Sequence, residues 1–264
     1  MRLTAPLMTA LLASTLFAAA ALSPSQAQSQ PSAPSQPQAQ AKFVRTQAVM
    51  PQPFTATYDV SYRGVGAGSL TFKLSRDPAT GRYIYETTAE PSLLARIVVS
   101  SAAVERSVME VGPQGVRPIE WQLDDGRSST ARDGKLNFDW QNNVVTGVVE
   151  DEQIELPLEP GVQDRMSMQI DVVTSLLRGE EPGTIPLIDD NRVKRYSYVK
   201  IGPAVAETEF GKLDAVLYES TREGSNRQSR FWLVPKMEYL AARAEQIRKG
   251  KVETVMVLRS FEQH

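Results

Sequence analysis

Asp164, Ser167, Asp171 and Arg178 share one stripe of the segment VQDRMSMQIDVVTSLLRG, residues 162 to 179. Acids and a hydroxyl at helical spacing are groups that can move protons or hold a polar ligand. Further carboxylates stand at Asp124 with Asp125, Asp133, Asp139, and Asp189 with Asp190. Two acids facing each other across a cleft suffice for glycoside hydrolysis, which needs no other side-chain type. Each of these positions also suits the ordinary use of Asp in turns and on solvated strand faces.

Little other chemistry is open to the chain. His264 is the one histidine and the last residue, and there is no cysteine. Ser-His-Asp and Cys-His sites, zinc held by His or Cys, haem and iron–sulfur clusters are thereby excluded, and no cofactor and no metal is expected. The glycines of RGVGAGSL, residues 63 to 70, join two strand patterns and lack the helix and Lys-Ser/Thr pair of a phosphate loop, so they read as a hairpin or bulge. The IDDN run at 188 to 191, with Asp151 and Glu152, has oxygen ligands but no D-x-D-x-D-G loop and reads as a turn.

The chain has 29 Lys and Arg against 31 Asp and Glu. That balance argues against a nucleic-acid partner. Basic residues thicken late, from Arg192, Lys194 and Arg195 to Arg248, Lys249 and Lys251. They read as solvated strand faces or as a basic rim toward anionic lipid or polysaccharide.

Residues 1–27 carry Arg2, an apolar run from Leu7 to Ala21 and small residues at Ser25 and Ala27. This is the pattern of a secretory signal, with cleavage expected after Ala27, or near Ala21 as the second choice, and an apolar run too short to span a bilayer. Without a cysteine to acylate, the exported form is expected to be periplasmic rather than a lipoprotein. Residues 28–50 are rich in Gln, Pro, Ser and Ala and are expected to be a disordered linker. Residues 51–264 remain for one domain.

Period-two alternation runs through that domain. Phe54, Ala56, Tyr58, Val60 and Tyr62 share a face, as do Leu136, Phe138 and Trp140. Breakers recur at strand length: DPATG at 77, GPQG at 112, QNN at 141, EFGK at 209, EGSN at 223, VPKM at 234 and KGK at 249. About twelve to fourteen antiparallel strands follow, too many for a flat sheet. A curved half-barrel or barrel-like meander is expected. One amphipathic helix, about 164–178, interrupts it, with Asp164 as N-cap, Ser167 as its partner, Gly179 as the stop, and Met166, Ile170, Val173 and Leu177 as the apolar stripe. It is expected to lie across the concave face or mouth.

The opening YDVSYRGVGAGSLTFKL, the FDW at 138 to 140, the QDRMS at 163 to 167 and the closing FWLVPKMEYLAARAEQIRKGKVETVMVL resemble an exported bacterial family, the domain of unknown function 3108, across Phe54 to Phe261. That family tends to have proline after the YL-type pair, where Ala241 stands here. The resemblance implies an exported, barrel-like antiparallel fold, similar in kind to periplasmic lipoprotein carriers, and assigns no activity or catalytic residue.

A non-enzymatic cell-envelope carrier or binding module for a lipid-like, apolar or amphipathic ligand is therefore expected, with Tyr58, Trp121, Trp140, Ser167 and Asp171 as candidate ligand contacts. Such a carrier calls for an apolar cavity of several hundred Å³. Two alternatives stand beside it: a carboxylate-dependent hydrolase acting on envelope glycan, and a structural protein that binds an envelope protein.

Overall fold

The computed structural model describes residues 50–264 except Val98. The expected signal, residues 1–27, and all of the expected linker but Met50 lie outside the described residues.

Alternation becomes strands along the described residues: β1 (Phe54–Tyr62), β2 (Val65–Arg76), β3 (Tyr83–Pro91), β4 (Val104–Gly112), β5 (Gly115–Asp124), β6 (Gly134–Asp139), β7 (Val144–Val149) and β8 (Glu152–Pro157). After the helix α1 (Ser167–Leu177) follow β9 (Thr184–Ile188), β10 (Val193–Thr208), β11 (Gly211–Arg222), β12 (Arg227–Val234), β13 (Leu240–Arg248) and β14 (Lys251–Gln263). The breakers read from sequence fall at the bends between neighbouring strands. In RGVGAG, Arg63 and Gly64 form the turn, both at positive φ (50° and 82°), as a tight hairpin matched to strand twist requires. Gly68 packs so close to β3 that a Cβ would sit 2.2 Å from the Glu90 carbonyl oxygen, so no larger residue fits.

All fourteen strands belong to one antiparallel sheet, ordered from β8 back to β1 and then from β14 back to β9. The first and last strands therefore pair at its centre, with Phe54 opposite Gln263 and Tyr62 opposite Thr254. Two wings extend from this seam. Register shifts mark bulges at β1–β14, β1–β2, β4–β5, β10–β11, β12–β13 and β13–β14. Each bulge bends its strand and increases twist, which gives the sheet its curvature. The outer edges remain unpaired to each other, so the sheet is open. The segment between β8 and α1 covers β9 instead: Gln163 N–H donates to the Pro186 carbonyl and the Gln163 carbonyl accepts from Ile188 N–H, both at 2.9 Å. That pairing blunts an edge.

α1 sits inside the concavity. Met166, just before it, and Ile170 pack into the larger core, built mostly from β1 to β8 with residues of β9, β13 and β14. Met168, Val172 and Leu176 pack against Leu187, Tyr196, Tyr198 and Tyr218 of the other wing. This corrects the single stripe read from sequence, since Val173 and Leu177 are only half-buried and a second apolar face is fully used. A helix that is apolar on two faces is an interior helix, and here it is wedged between the wings of one sheet. Lys194, counted among the solvated basic residues, is also interior.

Candidate functional site

The polar stripe proves to be the helix's docking surface. Asp164 Oδ1 accepts from the backbone N–H groups of Met166 and Ser167, both at 2.8 Å, and Ser167 Oγ accepts from Asp164 N–H at 2.9 Å. This reciprocal pairing satisfies donors that a helix start leaves free. Asp164 Oδ2 accepts from Ser107 Oγ on β4 at 2.7 Å. Asp171 Oδ1 accepts from Val116 N–H on β5 at 3.4 Å, Gln163 Nε2 donates to the Val116 carbonyl at 2.8 Å, and Arg178 Nη2 donates to the Gly112 carbonyl. Burial pushes both carboxyls up, Asp164 to about 6 and Asp171 to about 6, against the pull of these hydrogen bonds.

On the opposite side, between α1 and the middle strands, lies a cavity of about 140 Å³. Tyr58, Leu70, Phe72, Phe231, Ala244 and Met256 line its sheet side, and Met166, Ile170 and Val173 its helix side. It is smaller than the several hundred Å³ expected, the helix occupying the concave face.

Polar groups stand at two sides of this apolar space. At one, Glu238 on the β12–β13 turn accepts from Gln52 N–H at 2.9 Å and from Gln263 Nε2 at 3.3 Å, joining the segment before β1 to the end of β14 at the cavity wall. Glu238 and Tyr239 both have left-handed backbones, φ 53° and 60°, a conformation that costs non-glycine residues energy. At the other, on the β4 side, are Glu105, Arg165, Gln169 and Thr87. Register sets Glu105 beside Thr87 and Thr87 beside Phe72, so this polar group continues the row that forms the cavity wall.

Of the five candidate ligand contacts, Tyr58 lines the cavity, and Trp121, Trp140, Ser167 and Asp171 do not. Trp121 is fully buried one layer behind it, where Nε1 donates to Glu105 Oε1 at 2.9 Å and the ring carries the Arg165 guanidinium at 4.9 Å. Trp140 donates to the Pro118 carbonyl at 2.7 Å and stacks under Arg117. Ser167 is taken by the cap and Asp171 by the Val116 N–H. Arg165 and Glu105 are the residues that pattern reading missed. The available signal was an arginine inside QDRMS, amid residues that cap and pack.

The remaining acids lie elsewhere. Oxygens of Asp124, Asp125 and Asp133 gather within 4.8 Å of one another beside the β5–β6 loop, where each accepts a backbone N–H. Asp139 caps the turn at Gln141 and Asn142. Asp189 and Asp190 flank Lys194 Nζ at 2.5 and 2.6 Å. The carboxylates that do line the cavity are Glu105 and Glu238.

A family model described as a protein of unknown function (DUF3108) matches residues 57–257. The chain belongs to this family. The match runs from β1 to β14, so the DUF3108 region contains Tyr58, Glu105, Arg165 and Phe231 of the cavity wall. No curated protein matches this DUF3108 chain. Among solved structures, a beta-barrel-like protein of the DUF1849 domain from Brucella abortus is similar at 12% identity and TM-score 0.49, over 82% of this chain and 100% of that one. A protein assigned as exported, with a YmcC-like fold, from Bacteroides fragilis has 10% identity and TM-score 0.38, over 81% and 98%. A protein assigned as a lipoprotein from Parabacteroides distasonis has 11% identity and TM-score 0.36, over 81% and 97%. Among the described residues of the DUF3108 chain, no helix is long and apolar enough to cross a membrane.

Proposed function

We propose that this DUF3108 protein is a non-enzymatic binding module of the bacterial envelope, exported to the periplasm, that holds the apolar part of an amphipathic ligand between α1 and the sheet. The supporting observation is the cavity itself: apolar on most sides, bounded by aromatic rings, and reaching exposed residues at Gln52 and Gln263. Its volume of about 140 Å³ resembles that of engineered apolar cavities, about 150 Å³, that admit benzene. The buried portion of the ligand is thus a ring or the end of one chain, with any longer remainder leaving past Gln52. The glycan-hydrolase reading is weaker because none of its Asp candidates lines this space.

Gentle purification of the exported protein followed by native mass spectrometry tests the reading. A non-covalent adduct of lipid-like mass is expected. An adduct-free protein that also fails to take up a solvatochromic naphthalene dye saturably would sink it.

A further inference from the structure

Arg165 lines the cavity, and its side chain is only 5% exposed. A guanidinium offers five N–H donors in a planar fork, and here it is held by long contacts. Nη2 donates to the Asp189 carbonyl at 3.5 Å, the outer limit of a hydrogen bond. Nε is buried without a hydrogen-bond partner, and the nearest carboxylate oxygen, Asp189 Oδ2, lies 3.7 Å away. Asp189 Oδ1 is taken by Lys194, whose Nζ is 2.5 Å away, while Asp189 Oδ2 has no hydrogen-bond partner and keeps only the long ion pair with Arg165. The Trp121 ring supports the guanidinium at 4.9 Å and fixes its plane.

The neighbouring polar groups make similarly long contacts. Gln169 Nε2 donates to the Arg165 carbonyl at 3.3 Å, and Gln169 Oε1 accepts from Tyr85 at 3.4 Å. Among the described residues, Thr87 Oγ1 reaches the Met166 thioether at 3.8 Å. Buried donors that go unsatisfied are costly, and an arginine fork matches a carboxylate in two parallel hydrogen bonds.

We infer that the cavity is specific for a monocarboxylate with an apolar tail, its carboxylate on Arg165 and its tail among Tyr58, Phe72 and Phe231. This rests on the binding function proposed above and names the ligand class for that site. Glu105, beside Arg165, retains its proton more readily than an exposed glutamate because burial disfavours its charge. That lessens the repulsion of an incoming anion and supplies a donor to the carboxylate's second oxygen when the proton is on.

A head-group series on the unaltered full chain tests the inference. Calorimetric titration with hexanoate, methyl hexanoate and 1-hexanol, which share one tail, is expected to show hexanoate bound about ten-fold or more tighter than the other two. Equal affinities for all three would overturn the carboxylate anchor and leave the apolar cavity reading standing. No binding of any of them would overturn both. In Arg165→Met the preference is expected to shrink to within about two-fold while 1-hexanol still binds. A folded Arg165→Met protein that keeps the preference would overturn the assignment to Arg165. If that variant does not fold by circular dichroism, the series on the unaltered chain decides.

Discussion

Asp164 and Ser107, 57 residues apart in the chain, share a 2.7 Å hydrogen bond in the protein interior. Through it the first turn of α1 is fastened to β4, and the same carboxylate caps the helix through its other oxygen. One buried acid thus joins helix initiation to the docking of that helix within the sheet.

Stability should fall as pH rises from about 4 to about 6. Asp164 and Asp171 are pushed up to about 6 in the folded protein, whereas an unfolded aspartate titrates near ~3.9. Between these values the folded state binds protons that the unfolded state has released, so stability is greatest below the lower value and declines through the higher one. A separation of about two pH units corresponds to at most ~3 kcal/mol for a fully buried group, and less for Asp171, which is partly exposed. Urea unfolding midpoints between pH 4 and pH 7.5 check this. Asp164→Asn and Asp171→Asn should each flatten the decline, and an unchanged slope in the double variant would count against it.

Lys194→Met should be severely destabilising, by about 3–5 kcal/mol, because it leaves Asp189 and Asp190 without the cation between them. Adding Asp189→Asn should recover part of the loss, since a buried carboxylate left with only the Arg165 guanidinium 3.7 Å away is then gone. Denaturant titration of the single and double variants measures both effects. A loss below about 1 kcal/mol in the single variant would mean that the buried network is not needed.

Ala244→Leu should fill the cavity from the β13 side, where Ala244 faces Phe231 and Met256 across the ladder. The expected result is lost uptake of an apolar dye with little change in melting temperature, because the added methyl groups occupy empty space that otherwise lacks packing partners. Undiminished uptake would show that the dye binds elsewhere.

Glu238→Gly should change stability by no more than about 1 kcal/mol, because relief of the left-handed backbone strain offsets the hydrogen bonds to Gln52 and Gln263. Ligand exchange should nevertheless quicken, since those two bonds hold Gln52 and Gln263 at the cavity wall. Stopped-flow displacement of the dye, run beside Glu238→Gln, separates the lost strap from the altered backbone. Equal exchange rates in Glu238→Gly and the unaltered protein would refute the strap.

The strand meander was legible in the sequence because period-two alternation and turn residues are local signals, and both recur here at nearly every hairpin. The helix cap was legible for the same reason: Asp164 and Ser167 stand three residues apart. What Asp171 and Arg178 face was not legible, because their partners on β4 and β5 are set by the fold of the sheet around the helix. Nor does an apolar stripe reveal that the next face is also buried, as Met168, Val172 and Leu176 are. Trp121 attracted attention for its size, yet its indole serves Glu105 and Arg165 from behind. Arg165 itself resembles any surface arginine until the fold buries it beside Asp189, 24 residues further on, whose other oxygen is held by Lys194.

The seam between β1 and β14 has a consequence for how the protein is made. Phe54 pairs with Gln263 and Thr55 Oγ1 lies 2.9 Å from His264 Nε2, so the first strand of the described residues has its partner in the last. Nearly the whole domain lies between them, so β1 cannot complete its pairing until β14 is also present. Until then one side of its backbone has no native partner, and closing so long a loop is a slow, non-local step. Truncation by a dozen residues at the C-terminus would remove most of β14 from the middle of the sheet, and with it the joint between the two wings.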